Sequence, residues 1–111
     1  MKKIIIVLLI LYSAGAINAQ TTPAMALSDK IAGRMKDSLS LSVDQRKQLY
    51  EINMQLAEKK KAVFRQYSAR DSVRQQLQKI ESTRDSLYSL VLPADKYLLY
   101  KQKKTRLLNN N

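Results

Sequence analysis

Lys59, Lys60 and Lys61 stand in a row, and Arg65, Arg70 and Arg74 follow within the next thirteen residues. These six side chains are cationic at neutral pH, and the chemistry they offer is electrostatic capture of an anion. Bond-making chemistry has far less to work with. The chain has no histidine and no cysteine, which removes the usual nucleophile–base pairs and the usual transition-metal ligands. The closest acids, Asp29 with Asp37 and Glu81 with Asp85, are flanked by lysine and arginine. Glu81 and Asp85, like charges four apart, read as a solvated helix face. With only two glycines there is no glycine-rich phosphate loop. Met35 and Met54 read as core or seam residues. The expectation is a protein that is no enzyme, with no catalytic residue, no metal and no cofactor.

Those cations are expected on an exported chain. Lys2 and Lys3 precede an apolar run from Ile4 to Leu11, and small residues follow at Ser13, Ala14, Gly15 and Ala16. That order is a signal peptide, since a spanning helix needs roughly 18 or more apolar residues. Cleavage falls between Ala16 and Ala19; the cut after Ala19 is favoured because it removes the last apolar residues, giving a signal peptide over 1–19. It takes away two lysines and no acid, so the charge falls from +11 to +9. Without cysteine there is neither a lipidated first residue nor a disulfide, and packing alone must stabilise the fold. The remaining chain is one domain, small enough that a homodimer sharing apolar area is expected. Its charge suits acidic protein segments, with weaker contact to anionic membranes; no motif points to nucleic acid.

The elements that position these residues read as helices. Residues 20–27 form a flexible lead-in, with Pro23 arguing against regular structure. Ser28 caps a short first helix over 28–38, whose stripe is Leu27, Ile31, Met35 and Leu39, with Gly33 weakening it. Ser42 and Gln45 form a capping box, so a second helix starts at Val43. Its stripe is Leu49, Ile52, Leu56 and Val63, with Phe64 and Tyr67 at its end. A third stripe, Val73, Leu77, Ile80, Leu87 and Val91, has Arg84 in its seam, stem packed and head in water. Ser68 to Asp71 reads as another capping box that breaks the chain into a hairpin. The alternative is one rod over 43–91, about 70 Å long; the break is favoured. Pro93 ends the third helix, a fourth runs over 94–107, and 108–111 are a disordered tail. The helical domain is thus 28–107 and all-α. Tyr50, Phe64, Tyr67, Tyr88, Tyr97 and Tyr100 are expected on helices at the edges of the core.

Leu41-Ser42-Val43-Asp44-Gln45 resembles the motif of the LTXXQ-motif family of periplasmic proteins, the Spy-like and CpxP-like proteins. Serine replaces threonine and keeps the capping hydroxyl. The second copy would be Leu92-Pro93-Ala94-Asp95-Lys96, where Leu92 alone matches and Pro93 and Lys96 remove the capping groups. The resemblance spans residues 28–107. It implies four helices in a Spy-like arrangement, a homodimer, and a periplasmic location after signal-peptide cleavage. It carries Leu41, Ser42, Gln45 and Leu92 over as structural capping positions only.

The resemblance also implies an ATP-independent holdase or an envelope-stress adaptor that binds unfolded or acidic protein segments, or a sensor protein. Lys59, Lys60, Lys61, Arg65, Arg70 and Arg74 are the expected client-binding residues. The competing expectation is a structural coiled-coil or envelope-associated protein without chaperone activity. A hairpin favours the first reading and an unbroken rod the second.

Overall fold

Thr22 starts the first helix. A computed structural model of the protein describes residues 21–109, and in it the Thr22 side chain accepts from the Met25 N–H at 3.1 Å. Helix α1 runs Pro23–Leu39 with Pro23 in its first turn, where a missing N–H costs nothing. The expected lead-in over 20–27 is therefore largely helix, and Ser28, read as the cap, is a buried interior residue. Pro23 initiates the helix instead of breaking the chain. The helix passes through Gly33 and closes at Ser40, which is left-handed with φ 55°. The Leu41 N–H then donates to the Lys36 carbonyl at 3.0 Å, the six-to-one bond of a Schellman turn.

Helix α2, Val43–Gln66, opens on the expected capping box. Ser42 Oγ accepts from the Gln45 N–H at 3.0 Å, and Gln45 Oε1 accepts from the Ser42 N–H at 2.8 Å. Helix α3, Arg70–Val91, follows a break of three residues, so the rod over 43–91 is excluded in favour of a hairpin. The cap of α3 differs from the expected box: Ala69 takes the cap position, and no side chain bonds there. Helix α4, Ala94–Leu107, begins after Pro93 and ends at Leu108, where the disordered tail was expected to begin. Residues 1–20, with the expected signal peptide, and residues 110–111 of the expected tail lie outside the described residues. The fold is all-helical, with no strand among the described residues.

These four helices make two unequal parts. In the head, α1 packs on the start of α2 and on α4, around Met35, Leu39, Leu49, Tyr88, Tyr100 and Leu107. The arm is the rest of the α2–α3 hairpin, with Leu56, Val63 and Ile80 buried along one seam and Ile52, Val73 and Leu77 beside them. Helix α2 is about 36 Å long, so the arm outreaches the head. The radius of gyration is 17.4 Å, against about 12–13 Å for a globular chain of this size. A two-helix arm can bury only one stripe of each helix, and its outer faces stay with solvent.

Candidate functional site

The arm's tip gathers charge of one sign. Between Glu58 and Asp71 lie twelve residues, 59–70, with five cations and no carboxylate. Tyr67 leaves α2 in an extended conformation, its N–H still donating to the Val63 carbonyl at 2.9 Å. It lies in the connection rather than on a helix. Phe64 is 62% exposed and Tyr67 36% exposed, so an aromatic pair faces solvent amid arginines instead of edging the core.

Of the six expected binding residues, the hairpin brings Arg65, Arg70 and Arg74 to this end of the arm. The lysine run does not form one spatial cluster, because consecutive helical residues diverge by about 100°. Lys60 turns inward and pairs with Glu81 on α3 at 3.3 Å. Lys61 pairs with Glu58 at 3.6 Å and Arg74 with Asp71 at 3.8 Å, both exposed pairs that constrain little. Lys59, Arg65 and Arg70 are exposed and make no ion pair among the described residues.

Where arm meets head, Arg84 is buried with its head inside, contrary to the expected solvated guanidinium. Its Nε donates to Glu81 Oε1 at 3.0 Å, and its Nη1 donates to Asn53 Oδ1 at 3.0 Å and Tyr88 Oη at 3.1 Å. The Tyr88 hydroxyl also donates to Asn53 Oδ1, and Asn53 Nδ2 donates to the Ser28 carbonyl at 3.1 Å. One network thus joins α1, α2 and α3. Burial opposes the charge on Arg84, but Tyr88 and Glu81 outweigh it and raise its pKa. Burial also raises Glu81, yet Arg84 and Lys60 together hold it below the usual carboxylate range. Polar Asn53 beside Ile52, facing Arg84 and Tyr88 four residues apart, was the available sequence signal for this network.

Asp85 is not on a solvated face either. It accepts from the Tyr100 hydroxyl at 2.7 Å, from Lys104 Nζ at 2.9 Å and from Lys101 Nζ at 3.2 Å, all on α4. Burial pushes its pKa up, and the hydrogen bonds from Lys104, Tyr100 and Lys101 more than reverse that. Tyr100 is fully buried against Tyr88, ring centroids 5.0 Å apart and edge to face. Burial, and then the bond to Asp85, drive its hydroxyl pKa upward.

The motif-like segments meet at the other end of the head. Leu41 and Leu92 are both buried. Gln45 Nε2 donates across to the Val91 carbonyl at 3.3 Å, and Lys96 Nζ donates to the Ser40 carbonyl at 2.9 Å. Capping and tying are therefore what Leu41, Ser42, Gln45 and Leu92 do, together with Lys96, whose ammonium replaces the lost capping amide with a tie to α1. A separate open groove, about 580 Å³, runs between α1 and α2 past Met25, Val43 and Tyr50, with Arg46 and Lys47 at its edge.

Among the described residues no group of three or more acidic side chains is placed to hold a metal ion, and no helix is long and apolar enough to cross a membrane. No family model, curated protein or solved structure matches this chain.

Proposed function

We propose that this protein is an exported, periplasmic, ATP-independent holdase or envelope-stress adaptor, and that it captures unfolded or acidic protein segments on the arm. The observation that carries the proposal is the tip: an acid-free stretch of twelve residues with exposed Phe64 and Tyr67 among Arg65 and Arg70, and Arg74 just beyond it. Long-range attraction brings an acidic segment to the arm, and short-range apolar contact with the rings retains it. Neither step needs a nucleotide. Membership of the LTXXQ-motif family is part of this proposal, supported by the capping box at Ser42–Gln45 and by the burial of Leu41 and Leu92 in one core cluster. A homodimer would also cover part of the exposed apolar surface, which includes Val43, Leu90 and Leu98. The hairpin weighs against a structural coiled coil, which would use an unbroken rod.

The test is suppression of aggregation of a reduced, unfolding client by the purified mature protein, without ATP, at low and high salt. Protection at equal to few-fold molar ratios, weakened by salt, is expected. No protection at either salt rejects the proposal. Protection unchanged by salt rejects electrostatic capture.

A further inference from the structure

Arg84 keeps one guanidinium nitrogen out of its network. Nε serves Glu81 and Nη1 serves Asn53 and Tyr88, while Nη2 donates to no atom among the described residues. No buried side-chain nitrogen or oxygen among those residues lacks a partner. Nη2 must therefore keep accessible surface, although Arg84 as a whole is only 5% exposed. Arg84 lines a recess of about 60 Å³ beneath the start of α1, where Lys60 and Asn53 also reach the wall. The rest of the wall is mostly apolar, with Leu27, Ile31 and Ala57.

Charge around this recess is unbalanced. Glu81 is shared by Lys60 at 3.3 Å and Arg84 at 3.0 Å, one carboxylate against two cations. A water molecule would satisfy the free donors of Nη2 but leave the two cations with one carboxylate between them. A carboxylate satisfies both requirements, since the planar guanidinium matches its two oxygens. Size narrows the ligand further. A cavity that takes a benzene ring measures about 150 Å³, so a recess of about 60 Å³ suits a carboxylate on one or two carbons.

We propose that this recess is a binding site for a carboxylate carried on a short aliphatic group, held by Arg84 Nη2 and Lys60. The ligand is either a free short-chain acid or the carboxyl end of a peptide. The site lies where arm meets head and does not depend on the function proposed for the tip.

The experiment follows the Arg84 Nε–H resonance of the mature protein by NMR during titration with propionate, with sodium chloride at matched ionic strength as control. A saturable shift with a dissociation constant of about 1–10 mM is expected for propionate, and none for chloride. Ala57→Leu fills the recess without changing a charge and abolishes saturation. Lys60→Met removes a half-exposed cation and weakens binding about tenfold, keeping the test open should Ala57→Leu unfold. N-acetylalanine binding while its amide does not assigns the site to peptide ends; propionate binding alone assigns it to free acids. A linear shift, the same curve with chloride, or unchanged affinity in a folded Ala57→Leu variant overturns the proposal.

Discussion

Lys96 Nζ lies 2.9 Å from the carbonyl oxygen of Ser40, across 56 positions of sequence. It also reaches the Leu39 carbonyl, so one ammonium serves the last orphan acceptors of α1. Gln45 makes the mirror contact, donating to the Val91 carbonyl at the end of α3. Each side chain is the fourth residue after a buried leucine, Leu41 or Leu92, and each reaches the chain just before the other leucine. The two junctions therefore brace each other, and a cation at a helix C-terminus adds a favourable dipole interaction.

Lys96→Met should lower stability by about 1–2 kcal/mol, the worth of charged hydrogen bonds to backbone in a partly buried site. Chemical denaturation at constant pH measures it. A loss below a few tenths of a kilocalorie would mean that the brace is an incidental contact.

Two backbone positions predict gains. Ala69 has the extended conformation of an N-cap, φ −73° and ψ 131°, but no side-chain acceptor, so Ala69→Ser should stabilise by about 1 kcal/mol. Ser40 occupies the left-handed position that favours glycine, and Ser40→Gly should add about 0.5–1 kcal/mol. Thermal melts of both variants test these gains. A fall in melting temperature for Ala69→Ser would mean that α3 starts elsewhere.

Helix spacing and capping chemistry are local, and they were legible. The Ser42–Gln45 box, the stop at Pro93 and the separate stripes that carry Leu56 with Val63 and Ile80 all follow from residues a few positions apart. Thr22–Pro23 carries a local signal as well, since threonine before proline marks a helix start, but proline also signals a break in regular structure. Arg84 and Asp85 show the limit. Their neighbours on the same helix suggest a polar face, and what settles their burial is Asn53 on α2 and Tyr100 on α4, which periodicity within one helix cannot register. Lys59 to Lys61 diverge for a local reason: adjacency in sequence is not adjacency on a helix.

The ties of Asp85 to α4 predict an acid limit. Its folded pKa lies below the ordinary 3.8 and that of Glu81 below the ordinary 4.5. A depressed carboxylate contributes stability above its unfolded pKa and loses it as the pH falls through the folded value. Stability should therefore be level between about pH 5 and 8 and fall below about pH 4.5. Asp85→Asn should cost about 1 kcal/mol at pH 7, because Lys101 and Lys104 are partly exposed, and should flatten the acid slope. An unchanged slope in that variant would place the acid sensitivity elsewhere.

Capture and retention at the tip should separate by mutation. Arg65 closes the last turn of α2, where a cation is favoured, and Arg70 opens α3, where an anion is favoured. In Arg65→Glu with Arg70→Glu the two dipole effects oppose each other, so folding stability should change by no more than about 0.5 kcal/mol. Client association should slow several-fold, and its salt dependence should largely disappear. Phe64→Ser with Tyr67→Ser removes exposed rings at a similarly small cost in stability. That variant should keep the salt-dependent association rate and release the client several-fold faster, because retention rests on apolar contact. Stopped-flow association and dissociation with a fluorescently labelled acidic client distinguish the two pairs. Equal effects of both pairs on the dissociation rate alone would refute the division of labour, and no effect of either would move the client site off the tip.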